Sequence, residues 1–326
     1  MNVVFKNPTR IYIILSVLLL VGVFIFHSFS PFSVNKRTFE RIEKIDENSY
    51  LDVAVSYSFL FAGLSIYWAV FLLYGLVNFF ILLYCFFYRK PFLSSNRLQL
   101  RLNLHNDEVA LVIFSIVYVY SVFYLLSLII VSSIKDSGSV SIIMTLIFQV
   151  FIIITILKSI SLSSLGIRFS KQDLLTIFKV YSLTLVFITL ASMLMIKIQK
   201  RFNIFFPPQE AVYMVLSLKD RFLLTILIFQ IVFIGPVAEE LFFRGFIYNL
   251  LKEKFGYGVA IIITSFVFSL FHNNIWGFLP IFILSVGISY TYEKTANIIS
   301  PIIFHSLHNT SSLLSLLVFR SFFTIN

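Results

Sequence analysis

The sequence has little charge for its length and a single cysteine. Charged residues occupy 12% of the 326 positions, against 59% for apolar residues, and the mean hydropathy is +0.95. This composition lies outside the range of water-soluble globular domains, so lipid is the expected surrounding. The lone Cys85 excludes an intramolecular disulfide and a thiolate metal cluster.

Acidic residues are scarcer than basic ones, at 15 against 25, which gives a formal charge of +10. Most Lys and Arg residues lie in short connectors between apolar runs, where they hold helix ends at anionic headgroups. We therefore expect membrane lipid as a partner and no nucleic acid. The basic residues are nearly balanced between the two sides, so they assign no orientation, and no feature indicates an oligomeric state.

Long apolar runs predict an all-α, polytopic integral membrane protein with about eight to nine transmembrane helices, which we expect in the cell membrane. A segment in hydrocarbon must satisfy its own backbone groups, and a helix does so. We interpret the first run, 11–29, as a retained span because no small-residue cleavage site follows it. The further runs lie near 59–88, 109–134, 140–157, 176–196, 222–250, 258–278, 279–292 and 298–318.

Two glutamates, Glu239 and Glu240, are the only acidic residues well inside a run. Burying a carboxylate at membrane depth costs about 2.5–3.5 kcal/mol on insertion scales, so a partner or a function is expected. Glu240 and Arg244 are four residues apart, which predicts an ion pair on one helix face. Glu239 points about 100° away and lacks that partner. Gly235 and Pro236 predict a kink just before the pair. An ion-pair cluster that only holds helices together stays open as an alternative.

Three histidines follow within about seventy residues of the glutamates. His272 ends an apolar run, a position that is more often structural than catalytic when it stands alone. His305 and Asn309 are four apart, so their side chains share a helix face and can converge on one oxygen. His308 lies on a neighbouring face, where it can support His305. Short connectors keep the three helices adjacent, which indicates one site rather than scattered polar residues.

Together these residues resemble the CPBP family, the CAAX proteases and bacteriocin-processing enzymes that include the type II CAAX prenyl endopeptidases and the Abi proteins. The resemblance spans roughly 166–317. It divides the chain into N-terminal transmembrane helices of no recognised family, 1–160, and a CPBP-like core, 161–326. The matching motifs are Glu239-Glu240-x-x-x-Arg244, Phe268-x-x-x-His272 and His305-x-x-x-Asn309, in the family's order.

The resemblance implies an intramembrane endopeptidase whose motif helices surround a water-containing cavity. By position, Glu239 would activate the attacking water with the help of His272. His305 and Asn309 would stabilise the oxyanion, and the ion pair would support the site. The implied substrates are membrane-associated or C-terminal, CAAX-like peptides or proteins, and no feature of the sequence decides whether they are lipidated.

Two alternatives to this reading stay open. Glu239, His272 and His305 would be a two-His, one-carboxylate zinc set, although the sequence lacks the usual His-Glu-x-x-His spacing and we favour a reaction without a metal. A membrane immunity or binding protein, or a proton-coupled transporter, would use the same polar residues differently. Against a transporter, the polar residues are confined to one end of the chain.

Overall fold

The computed structural model describes residues 12, 16, 58–88, 91–93, 106–133, 137–203, 209–272 and 274–324. The described part is helical and contains no strand, which confirms the all-α membrane fold. Apart from Tyr12 and Ser16, the proposed first span lies outside the described residues. The helices are α1 (Ser58–Phe87), α2 (Asn106–Ser133), α3 (Ser137–Ser159), α4 (Lys171–Phe202), α5 (Glu210–Ser217), α6 (Arg221–Phe229), α7 (Gly235–Glu240), α8 (Asn249–Phe271), α9 (Phe278–Thr295) and α10 (Ile299–Thr324).

Five stretches of the described chain are long and apolar enough to cross a membrane. The last of them runs from α6 to α8 and contains two π-helical segments and a break at Gly256, whose φ of 79° and ψ of 167° are not helical. The count of eight to nine spans stays a prediction. The stretches are Gly63–Phe87, Asn106–Phe123, Gly138–Ser159, Lys171–Phe202 and Arg221–Phe271.

Helix α4 is the most enclosed of the candidate spans and packs against both α1 and α9. Its start is fixed by a capping box, in which Ser170 accepts from the backbone N–H of Asp173 and the Asp173 carboxylate accepts from that of Ser170. Its far end is closed by Asn203 in the left-handed conformation, at φ 50°. Gly287 lets α9 approach α4 closely, because a Cβ there would collide with Thr184. These contacts hold α9 in the interior.

The connection between α9 and α10 is clamped by the segment that precedes α4. Gly166 has φ +66°, and a Cβ on it would overlap the carbonyl oxygen of Ala296. Asn297 donates from Nδ2 to the carbonyl of Arg168 at 2.7 Å, and the N–H of Ile298 donates to the carbonyls of residues 165 and 166. These contacts fix the start of α10 and therefore the position of its polar residues along the helix axis.

Candidate active site

The glutamate pair lies on a helix whose hydrogen-bond pattern is irregular. A π-helical segment, Gln230–Ile234, precedes α7, and a second one, Leu241–Tyr248, follows it. Within the first, the N–H of Gly235 donates to the carbonyl of Gln230, five residues back. Wide turns of this kind occur most often at functional sites. The kink expected from Gly235 and Pro236 therefore takes the form of a locally widened helix.

Proline leaves a carbonyl in the first π-helical segment without a helical donor. In a regular α-helix the N–H of Gly235 would donate to the carbonyl of Ile231, but here it donates to the carbonyl of Gln230. Pro236 has no N–H that could donate to the carbonyl of Ile231 instead. The side chain of Asn309 on α10 fills this position, since its Nδ2 donates to the carbonyl of Ile231 at 2.9 Å. Asn309 therefore joins α10 to the turn that leads into the glutamates.

The predicted ion pair between Glu240 and Arg244 is present and fully buried. Arg244 Nη1 lies 2.9 Å from one carboxylate oxygen of Glu240 and 3.0 Å from the other. Its Nη2 donates to the hydroxyl of Ser285 at 2.6 Å and to that residue's carbonyl at 3.1 Å, and its Nε lies 3.3 Å from the hydroxyl of Ser289. The guanidinium thus fastens the glutamate helix to α9.

The ring of Phe268 connects the three motifs. The guanidinium carbon of Arg244 lies 4.7 Å from its centroid, a distance suited to a cation–π contact. The same ring is 5.8 Å from the ring of His305, edge to face, and 4.5 Å from that of His272. Phe268 is fully buried, so it sets the spacing between α8, α10 and the ion pair.

His305 is held between the two glutamates. Its Nδ1 is 2.8 Å from the carboxylate of Glu240, and because a carboxylate only accepts, this nitrogen carries the proton. Its Nε2 is 3.9 Å from Oε2 of Glu239. The ring is almost wholly buried, whereas the side chain of Glu239 is 31% exposed. The Glu240 carboxylate is thus bonded to both Arg244 and His305, whereas Oε2 of Glu239 accepts no hydrogen bond within the described residues.

His272 occupies the end of α8, as the sequence predicted. The helix stops at Phe271, so the last carbonyls lack backbone donors. The Nδ1 of His272 lies 2.8 Å from the carbonyl of Phe268 and donates to it. This bond requires only a backbone carbonyl four residues before the histidine, whereas the ring contact at 4.5 Å depends on the Phe side chain. A ring that carries its one proton on Nδ1 has Nε2 as an acceptor.

The remaining histidine, His308, lies away from the glutamates. Its ring centroid is 6.3 Å from that of Tyr181 on α4, and its buried Nδ1 has no hydrogen-bond partner within the described residues. Tyr181 in turn lies between the hydroxyls of Ser311 and Tyr67, at 3.1 and 3.3 Å. A supporting role for His308 stays a prediction.

The side chains proposed as zinc ligands do not form a metal site. Within the described part of the chain, no three His, Cys, Asp or Glu side chains are grouped closely enough to hold a metal ion. The bonds that Nδ1 of His272 and Nδ1 of His305 donate are of the kind that zinc-bound histidines also make, so they do not argue against a metal. Because the three proposed ligands are not grouped, we route no step of the reaction through zinc, and its metal dependence stays open to experiment.

Two features of the region were missed by the sequence reading. Ser285 and Ser289 anchor Arg244, and their four-residue spacing within an apolar helix was the available signal. The second is the buried Glu293, whose Oε2 lies 2.5 Å from Lys252 Nζ and accepts from Tyr248 at 2.7 Å. This second ion pair joins α8 to the end of α9.

Comparisons with known proteins place the site inside a recognised domain. Residues 221–311 match the type II CAAX prenyl endopeptidase Rce1-like family. The chain is also 31% identical over 77 residues to a Bacillus subtilis (strain 168) protein called "Putative membrane peptidase YdiL". That match covers 24% of this chain and 32% of the relative, so the chain spans about a third of the length of the curated relative. No solved structure matches the chain significantly.

The matched segment holds every residue named from the three motifs, from Glu239 to Asn309, together with both π-helical segments. The apolar helices and the matched family together show an integral membrane protein. The predicted boundary of the core at residue 161 lies well before the match and stays a prediction. The predicted resemblance to the CAAX proteases of the CPBP family is therefore confirmed for residues 221–311, which are similar to the Rce1-like type II CAAX prenyl endopeptidases.

Proposed function

We propose that this chain is an intramembrane endopeptidase that hydrolyses peptide bonds of membrane-associated or C-terminal, CAAX-like substrates. One observation supports the proposal: Glu240 is bonded to Arg244 and His305, whereas the buried Oε2 of Glu239 lies 3.9 Å from Nε2 of His305 and accepts no hydrogen bond within the described residues. A buried acid used only for structure would be expected to have its own bonded partner.

Glu239 is proposed as the general base. It would take a proton from a water molecule whose oxygen attacks the substrate carbonyl carbon, forming a C–O bond and an oxyanion. Collapse of this intermediate breaks the C–N bond, and Glu239 returns the proton to the leaving amine. The Nε2 of His272 can accept a hydrogen bond from the second O–H of the water, which would orient the water for attack.

His305 and Asn309 are proposed to stabilise the oxyanion. Since Nδ1 of His305 donates to Glu240, a second donor at Nε2 requires the doubly protonated ring, a cation placed between two carboxylates. Asn309 uses one hydrogen of Nδ2 on Ile231 and has a second one available. Donors held rigidly before the charge develops contribute most to such catalysis.

The histidines supply a direct test of this proposal. The purified protein should cleave a quenched fluorescent peptide that ends in a farnesylated Cys and three further residues. Replacing His305 with Ala should lower kcat by about 10²–10³-fold, the loss typical of one oxyanion donor. His272→Ala should have a similar or smaller effect, because it removes an aid to the base. Full activity of both variants would contradict the proposed roles, and the unprenylated peptide tests the need for a lipid.

A chelator test addresses the proposed absence of a metal from the reaction. We expect the purified, active protein to keep its cleavage rate after incubation with EDTA or 1,10-phenanthroline, because Glu239 suffices as the base in this mechanism. Elemental analysis of the same sample should find far less than one zinc ion per chain. Stoichiometric zinc, with activity lost on chelation and restored by added zinc, would make the reaction metal-dependent.

A further inference from the structure

Helix α3 places one carboxamide in the middle of an apolar span. Gln149 lies between residues 138 and 159, a stretch that is long and apolar enough to cross a membrane. At membrane depth, the two donors and the acceptor of a carboxamide need partners from protein or ligand. Helix α3 also lies outside the segment that matches the Rce1-like family, so the match assigns Gln149 no role.

Gln149 reaches the helix turn that carries the proposed base. Its Nε2 lies 3.2 Å from the point where a Cβ on Gly235 would stand, and Oε1 of Glu239 lies 3.9 Å from the same point. A side chain at position 235 would press on this carboxamide. Because Gly235 has no side chain, the carboxamide of Gln149 on α3 can approach the carboxylate of Glu239.

The oxygens in this region lack donors. Within the described residues, Oε1 of Gln149 and Oε2 of Glu239 are both buried and accept no hydrogen bond. An unpaired buried acceptor destabilises the folded protein, so the unpaired acceptors of two side chains that meet at Gly235 indicate a ligand that brings N–H or O–H groups.

We propose that Gln149 binds the main chain of the peptide substrate beside the scissile bond. Its Oε1 accepts a peptide N–H, and its Nε2 donates to a peptide carbonyl. A substrate in an apolar cleft must have its peptide groups satisfied, and a carboxamide offers the same donor and acceptor as a peptide group. This inference rests on the proposed endopeptidase function and adds a substrate-binding residue from the N-terminal helices.

The test is Gln149→Leu, which keeps the approximate side-chain size and removes the hydrogen-bonding groups. With the farnesylated fluorescent peptide, KM should rise about 5- to 30-fold, the loss expected for one or two hydrogen bonds, while kcat changes less than about threefold. Without peptide, the midpoint of thermal unfolding in detergent should stay the same or rise, because the substitution removes an unpaired buried acceptor.

The control is Gln172→Leu, the same chemical change at an exposed position in the first turn of α4, and it should alter neither KM nor the midpoint. An unchanged KM for Gln149→Leu together with a lowered midpoint would assign the carboxamide to the packing of α3 and overturn the inference.

Peptide binding separates this inference from the proposed function. In a Glu239→Gln background, the Kd of the uncleaved peptide should weaken by the same factor when Gln149→Leu is added. Equal affinities with and without Gln149→Leu would overturn the inference while leaving the endopeptidase in place. Undiminished cleavage by Glu239→Gln would instead contradict the proposed function itself.

Discussion

Replacing Glu239 with Gln should lower the rate of peptide cleavage by ~10²–10⁴-fold, the usual contribution of a general base. Gln has the same size as Glu but cannot take a proton from water. The Glu239 side chain is 31% exposed, and its Oε2 accepts no hydrogen bond within the described residues, so the substitution changes only the long contact to His305. The midpoint of thermal unfolding should therefore stay within about 2 °C of the wild type.

The matched control is Glu253→Gln, which makes the same change at an exposed position of α8 and should keep the wild-type rate. Cleavage by Glu239→Gln within tenfold of the wild type would place the base elsewhere. A wild-type protein that cleaves neither the farnesylated nor the unprenylated peptide, but carries protons across a liposome membrane in a Glu239-dependent manner, would match the transporter alternative instead. The experiment thus separates an endopeptidase from a proton-coupled transporter, one of the alternatives that the sequence left open.

The local geometry of the site was predictable because it depends on spacing within one helix. Glu240 and Arg244 pair as expected from residues four apart, and Glu239 projects differently, as its neighbouring position requires. Helix α8 stops at Phe271, so His272 lies at its end, as the apolar run indicated. Helices α1 to α4 also lie within a few residues of the predicted runs. In each case the information is contained in a short stretch of chain.

Contacts between helices were not predictable in the same way. The bond from His305 to Glu240 and the bonds from Arg244 to Ser285 depend on how α10 and α9 rotate against the glutamate helix. Serines in helices commonly bond to their own backbone, so their sequence positions alone do not identify them as partners of a distant side chain. Gln149 belongs to the same class, because its approach to the site depends on the absence of a side chain at Gly235.

The two π-helical segments escaped prediction for a different reason. Periodicity arguments assume 3.6 residues per turn, and a wide turn changes the register by only one residue. Pro236 indicated a disturbance of the helix, but the form of that disturbance depends on side chains that donate hydrogen bonds to the freed carbonyls. Asn309 serves the first segment through Ile231, and Asn249 serves the second by donating to the carbonyl of Arg244 at 3.0 Å. The hydrogen bonds by which Asn309 and Asn249 complete these turns cannot be read from the sequence and require the three-dimensional structure.

Breaking the buried ion pair should have the largest effect on stability. Arg244→Met leaves the Glu240 carboxylate in an apolar interior with His305 as its remaining partner, and it frees the hydroxyls of Ser285 and Ser289. Removing one member of a buried pair typically costs about 3–5 kcal/mol. We expect a thermal midpoint in detergent about 10 °C or more below the wild type.

Glu240→Gln should also destabilise the protein, since it leaves the guanidinium of Arg244 uncompensated, but Gln still offers an oxygen to Nδ1 of His305. The double variant Glu240→Gln/Arg244→Met removes both charges and should be more stable than either single variant, because an unpaired buried charge costs more than a missing pair. Additive losses in this double-mutant cycle would contradict a direct coupling between the two residues. If the Glu240→Gln protein keeps its fold but loses as much activity as Glu239→Gln, both carboxylates have a catalytic role. If its loss of activity equals the fraction of protein that is unfolded, Glu239 remains the base.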